Sequence, residues 1–128
     1  MIQYHLVLDT PTLLALSGNR QVSALIHRAY LDADTCLWVP TLSILEAELQ
    51  RAGTAEHIGQ LDVIHTVDLD YPAALAVGRL CGAGVPPGVA AAVHAAGHLP
   101  DWGVGALVAT VEAKAYDGLG VGVFDLSR

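Results

Sequence analysis

The chain has little positive charge. Six of its 128 residues are Lys or Arg against thirteen Asp and Glu, which gives a formal net charge of −7 at pH 7. The basic residues are spread thinly along the sequence, as Arg20, Arg28, Arg51, Arg79, Lys114 and Arg128. Tight nucleic-acid binding draws much of its free energy from Lys and Arg that neutralise phosphates. A nucleic acid handled by this chain would therefore need help from a metal or from a basic partner.

Cysteines and long apolar segments are also scarce. Cys36 and Cys81 do not form a Cys-x-x-Cys pair, which argues against a disulfide scaffold and a structural zinc site. Although 53% of the residues are hydrophobic, no apolar run reaches the roughly 18 residues that span a bilayer. Residues 1–5 lack the pattern of an export signal. We therefore expect a cytoplasmic protein with a buried core, organised as a single domain over residues 1–128.

Short apolar runs alternate with helical patterns. The runs, which are typical of strands buried on both faces, cover residues 5–9, 36–39, 63–67, 106–109 and 121–124. Helical patterns cover residues 42–52, 72–82 and 89–97, and the clearest is the core-facing stripe of Val22, Leu25, Ile26, Ala29 and Tyr30. This order predicts an α/β fold of three α/β/α layers, with a central parallel sheet of about five strands.

Two acids stand where strands of this sheet should end. Asp9 closes the first apolar run and Glu112 lies just past the fourth, and ligands of such folds bind beyond the carboxyl ends of the strands. A hard cation with water could compensate the burial of Asp9. Alternatively, Asp9 or Thr10 caps a helix that begins near Thr12. Both interpretations remain open from these residues alone.

Glu46 is a third candidate acid, near the start of the helix that follows the second strand. Ser43 and Glu46 also fit the spacing of a capping box, which would give Glu46 a purely structural role. Glu48 points to a different face of the helix. We therefore favour Glu46, which is nearer the strand end, as the site residue.

Three segments together resemble the landmarks of a PIN domain, the family that includes the VapC toxins of bacterial toxin–antitoxin pairs. They are residues 6–10 (LVLDT), 39–46 (VPTLSILE) and 106–112 (ALVATVE), in the order and with the spacing of the family. The resemblance implies an endoribonuclease that depends on Mg²⁺ or Mn²⁺. Asp9, Glu46 and Glu112 would be its catalytic metal ligands, and Thr110 would orient a ligand or water. It also implies an RNA substrate and a cognate antitoxin, and we expect a homodimer.

The departure from the family pattern is its third acid, an Asp at the start of the helix before the fourth strand. That helix begins Pro87-Gly88-Val89 and carries no carboxylate. His94 or Asp101 takes that place only in a different helix register. Because phosphodiester hydrolysis needs a metal to activate water and offset charge, a site with fewer acids predicts weakened activity. The alternative is a catalytically inactive PIN-like interaction or regulatory module.

His94 and His98 form a second candidate metal site. Their i, i+4 spacing can chelate a transition metal, but no glutamate between them completes a zinc-protease motif. The alternative is that these histidines face solvent or cap the helix.

Overall fold

The computed structural model describes residues 3–98 and 106–127. The strands are β1 (Tyr4–Leu8), β2 (Thr35–Pro40), β3 (Ile64–Val67), β4 (Leu107–Thr110) and β5 (Val123–Asp125). The α-helices are α1 (Thr10–Leu14), α2 (Arg20–Leu31), α3 (Thr41–Gln50), α4 (Thr54–Gly59), α5 (Tyr71–Gly82) and α6 (Pro87–His98). A short 3-10 helix covers Ala113–Tyr116. None of the helices in these two ranges is long and apolar enough to cross a membrane.

The strands form one parallel sheet in the order β3-β2-β1-β4-β5. β1 is central and pairs with β2 on one side and with β4 on the other. The predicted α/β fold with a five-stranded parallel sheet is confirmed. Because the carboxyl ends of parallel strands meet at one edge, the residues that follow β1 and β4 lie next to each other.

Each face of the sheet is covered by helices. Successive side chains of a strand point to opposite faces, so Leu6 and Leu8 of β1 join one core cluster while Val7 joins the other. The second cluster contains Ala92 and Ala95 of α6, both almost fully buried. Small side chains let α6 lie close to β1, β2 and β4. The start of α6 is thereby held near the carboxyl edge of the sheet.

The structure corrects one prediction about helices and adds a helix that was not predicted. Tyr30 was expected to face the core with Val22, but its side chain is 52% exposed. At 3.6 residues per turn it lies about 80° around the helix from Val22, at the border of the apolar stripe. The helix α4 was not predicted, since its six residues, Thr54–Gly59, are too few to show a helical period.

Candidate functional site

Asp9 lies between the end of β1 and the start of α1. Its backbone is extended (φ −97°, ψ 178°), and its side chain accepts a hydrogen bond from the Thr12 N–H, with 3.2 Å from N to Oδ1. Pro11 follows at a position where a helix needs no N–H donor. The capping interpretation of Asp9 is therefore correct, and the carboxylate is fully buried.

Both oxygens of the Asp9 carboxylate accept hydrogen bonds. Besides the N–H of Thr12, Oδ1 accepts a bond from the hydroxyl of the same residue at 2.5 Å. Oδ2 accepts bonds from the Thr110 hydroxyl at 2.6 Å and from the Tyr116 hydroxyl at 2.7 Å. A carboxylate offers about four acceptor positions, so four donors of the protein occupy all of them. The short distances are typical of hydrogen bonds to a charged acceptor.

Backbone groups orient the two threonine hydroxyls toward Asp9. The Thr12 hydroxyl accepts the N–H of Val111 at 3.1 Å, and the Thr110 hydroxyl accepts the N–H of Glu112 at 2.9 Å. Each hydroxyl thus receives a backbone proton and donates its own proton to the carboxylate. This arrangement joins the β1–α1 junction to the end of β4.

Tyr116 ends the 3-10 helix that follows β4, and its ring is almost fully buried. Burial raises the pKa of its phenol far above the ordinary value, and the neighbouring carboxylates of Asp9 and Glu112 raise that pKa further. The phenol therefore stays protonated and acts as a donor. Sequence reasoning missed this residue. The available signal was its position six residues beyond Thr110, after the carboxyl end of a strand.

Glu46 lies in α3 next to the residue that follows Asp9. Its Oε1 accepts a hydrogen bond from the Thr10 hydroxyl at 2.8 Å. The predicted capping box is wrong, because α3 begins directly after Pro40, which makes no side-chain capping bond. Ser43 is therefore already inside the helix, and its buried hydroxyl has no hydrogen-bond partner among the described residues.

Gly88, in the first turn of α6, packs against the same two side chains. A Cβ atom built on Gly88 would lie 2.7 Å from the Thr10 Oγ1 and even closer to the Glu46 Oε1. The family pattern has its third acid at the start of this helix. In the present chain the helix start contacts Thr10 and Glu46 through a residue that has no side chain. His94 lies well inside α6 and does not replace that acid. Asp101 lies outside the described residues.

The structure brings the four predicted site residues to one edge of the sheet. Asp9 and Thr110 are hydrogen-bonded directly, Glu112 follows Thr110 with an exposed side chain, and Glu46 is linked to Asp9 through Thr10. Within residues 3–98 and 106–127 no group of three or more His, Cys, Asp or Glu could hold a metal ion. Mg²⁺ keeps several of its waters and requires a free carboxylate position. The Asp9 carboxylate has no such position, so this arrangement does not fit the cation. The ligand assignment stays a prediction.

The histidine pair at the end of α6 is arranged for capping. The two rings stack with their centroids 4.2 Å apart, and the Nδ1 of His98 lies 2.9 Å from the carbonyl oxygen of His94. Partial burial lowers the pKa of His94, as does the neighbouring His98, against an opposing effect of Asp70. A ring nitrogen that bonds a helix carbonyl supports the capping interpretation over chelation.

Comparison with known proteins gives a structural match. A chain in the crystal structure of DNA-bound VapBC from Salmonella typhimurium matches with a TM-score of 0.61 and 18% sequence identity. The match covers 98% of this chain and 99% of that chain. The fold is PIN-like. No protein-family model matches the sequence, and a search of curated proteins finds no match. At this identity the likeness shows the fold alone.

Proposed function

We propose that this chain is a PIN-like module of a toxin–antitoxin type assembly that acts through protein contacts and does not hydrolyse RNA. The observation that carries the proposal is the Asp9 carboxylate, which is fully buried and accepts four hydrogen bonds from the protein. In this proposal the first acid of the family pattern serves as a structural acceptor. The whole chain, residues 1–128, would act as one unit.

Energetics support a structural role for Asp9. A hydrogen bond to a charged group contributes about 1.5–3 kcal/mol to stability, and a buried donor left without its partner costs about 1–3 kcal/mol. A cation that took one Asp9 oxygen would displace at least one such donor. Because Mg²⁺ also gives up its waters reluctantly, weak binding is the expected result.

Exposed apolar side chains support a role in protein binding. Leu45 and Leu49 of α3 are 55% and 78% exposed, and Tyr71 and Leu75 of α5 are also exposed. Each pair has the i, i+4 spacing that places two apolar side chains on one helix face, and burying them against a partner would be favourable. The matched structure is described as a VapBC complex. We propose a homodimer contact and an antitoxin-like partner for the present chain.

Light scattering tests the homodimer. We expect a dimer mass for the wild-type chain and a monomer mass for the double variant Leu45→Glu/Leu49→Glu, because buried carboxylates would oppose the contact. Leu31→Glu is the control, since Leu31 is 75% exposed on α2 and lies on a different helix. A monomeric wild type at all concentrations would leave only the antitoxin-like partner.

An RNA cleavage assay tests the absence of hydrolysis. Purified wild-type protein and the Asp9→Asn variant are incubated with structured RNA and Mn²⁺. We expect the two proteins to give the same background, because Asp9 offers no position for a cation. Cleavage by the wild type that is lost in Asp9→Asn would contradict the proposal.

The second candidate is the Mg²⁺- or Mn²⁺-dependent endoribonuclease itself, with Asp9, Glu46 and Glu112 as ligands. The specific observation in its favour is that Glu46, through Thr10, and Glu112, through Thr110, lie on the same sheet edge as Asp9. The cleavage assay separates the candidates, since this one requires RNA cleavage that depends on both Asp9 and the metal.

A further inference from the structure

We propose that Tyr116 closes the Asp9 pocket to divalent cations. The inference rests on the proposed function, because it assumes that Asp9 holds no cation in the wild-type protein. It adds a residue to which neither the sequence pattern nor the fold assigns a role. The phenol would occupy the carboxylate position that a cation needs.

Tyr116 differs from the other donors to Asp9 in where it comes from. The N–H and hydroxyl of Thr12 belong to the helix that Asp9 itself caps, and Thr110 ends a strand paired with β1. These three donors belong to the two elements that meet Asp9 directly at the sheet edge. Tyr116 arrives from the separate 3-10 helix, and among the described residues its hydroxyl makes this one hydrogen bond.

The phenol and a cation compete for the same oxygen. The Tyr116 hydroxyl oxygen lies 2.7 Å from the Asp9 Oδ2, with its proton directed at that oxygen. A Mg²⁺ ion bound by a carboxylate oxygen lies at about 2.0–2.1 Å from it. The Thr110 hydroxyl already takes the other position on Oδ2. An ion and the phenol therefore cannot occupy Oδ2 together.

The charge of this edge does not explain exclusion of a cation. Glu46 lies against Thr10, Glu112 lies close enough to influence Tyr116, and the chain carries a formal net charge of −7. Negative charge of this kind attracts Mg²⁺ and Mn²⁺. The barrier must therefore come from the hydrogen-bond donors. Tyr116 can be replaced by Phe without disturbing a backbone hydrogen bond, whereas the hydroxyls of Thr12 and Thr110 also accept backbone N–H groups.

Manganese binding tests the inference. Free Mn²⁺ is measured by electron paramagnetic resonance during titration of wild type, Tyr116→Phe, Asp9→Asn/Tyr116→Phe and the control Tyr30→Phe, in which an exposed tyrosine is changed. We expect Tyr116→Phe to bind Mn²⁺ at least about tenfold more tightly than wild type, because it no longer has to break a hydrogen bond to a charged group. We expect the gain to vanish in the double variant and to be absent in Tyr30→Phe.

The possible outcomes separate this inference from the proposed function. If Tyr116→Phe has a native circular dichroism spectrum and neither it nor the wild type binds Mn²⁺, the role of Tyr116 is overturned and the proposed function stands. A gain that persists in Asp9→Asn/Tyr116→Phe would place the ion elsewhere and would also overturn it. If wild type and Tyr116→Phe both bind Mn²⁺ with the same affinity and Asp9→Asn/Tyr116→Phe does not bind it, both this inference and the closed state of Asp9 are overturned.

Discussion

Replacing Asp9 with alanine is expected to lower the free energy of unfolding by about 3–5 kcal/mol. The substitution removes both carboxylate oxygens and leaves the buried hydroxyls of Thr12, Thr110 and Tyr116 without the oxygens to which they donate. Each unsatisfied donor costs about 1–3 kcal/mol, and relaxation recovers part of the sum. Urea unfolding followed by circular dichroism measures the difference.

Glu112→Ala is the matched control for this prediction. Glu112 belongs to the same sheet edge, but its side chain is exposed, so its removal should change stability by no more than about 0.5 kcal/mol. The sign of the stability change in Asp9→Ala is informative as well. An Asp9→Ala protein more stable than wild type would indicate that repulsion among acids dominates this edge, as in a pocket built for a metal.

Replacing Gly88 with alanine is expected to destabilise the protein by about 1–3 kcal/mol. The new Cβ would collide with the side-chain oxygens of Thr10 and Glu46, and the cost should exceed the helix propensity that alanine gains. Gly78, in the middle of α5, has nothing within 4 Å of a Cβ atom. Gly78→Ala should therefore stabilise the protein by about 0.5–1 kcal/mol. Thermal or urea unfolding should give stability changes of opposite sign for Gly88→Ala and Gly78→Ala.

A double-mutant cycle identifies the atoms with which the new Cβ atom of Gly88→Ala collides. If Glu46 is the obstacle, Gly88→Ala should cost clearly less in a Glu46→Ala background than in the wild type. Equal costs in the two backgrounds would place the obstacle at Thr10 or in the helix backbone. A stabilising Gly88→Ala would mean that α6 does not approach the acidic edge so closely.

The architecture could be predicted from sequence because its signals are local. The apolar run that ends at Asp9 and the helical pattern around Val22 lie within short windows, and each strand and each of the helices α3, α5 and α6 begins and ends within two residues of its prediction. Alternation of such elements leaves few topologies. The position of Asp9 at the carboxyl edge of the sheet followed directly.

The state of the site could not be predicted, because it depends on contacts between distant residues. Tyr116 meets Asp9 across 107 positions of sequence, and Gly88 meets Glu46 across a helix interface. No periodicity reports such contacts. The sequence showed an acid at a strand end with two open roles. The three-dimensional arrangement determined which donors surround it, and the misread Ser43 arose because the start of α3 differs by a turn from the capping pattern.

The central position of β1 has a consequence for how the chain folds during synthesis. β1 pairs with β4, and the Asp9 carboxylate receives two of its four donors from Thr110 and Tyr116, about a hundred residues later. Contacts of such high sequence separation form slowly and late. Until a ribosome has released the segment through Tyr116, Asp9 in the nascent chain lacks two of its four hydrogen-bond donors. The C-terminal segment, which is synthesised last, therefore supplies the remaining strand partner of β1 and the remaining donors to Asp9.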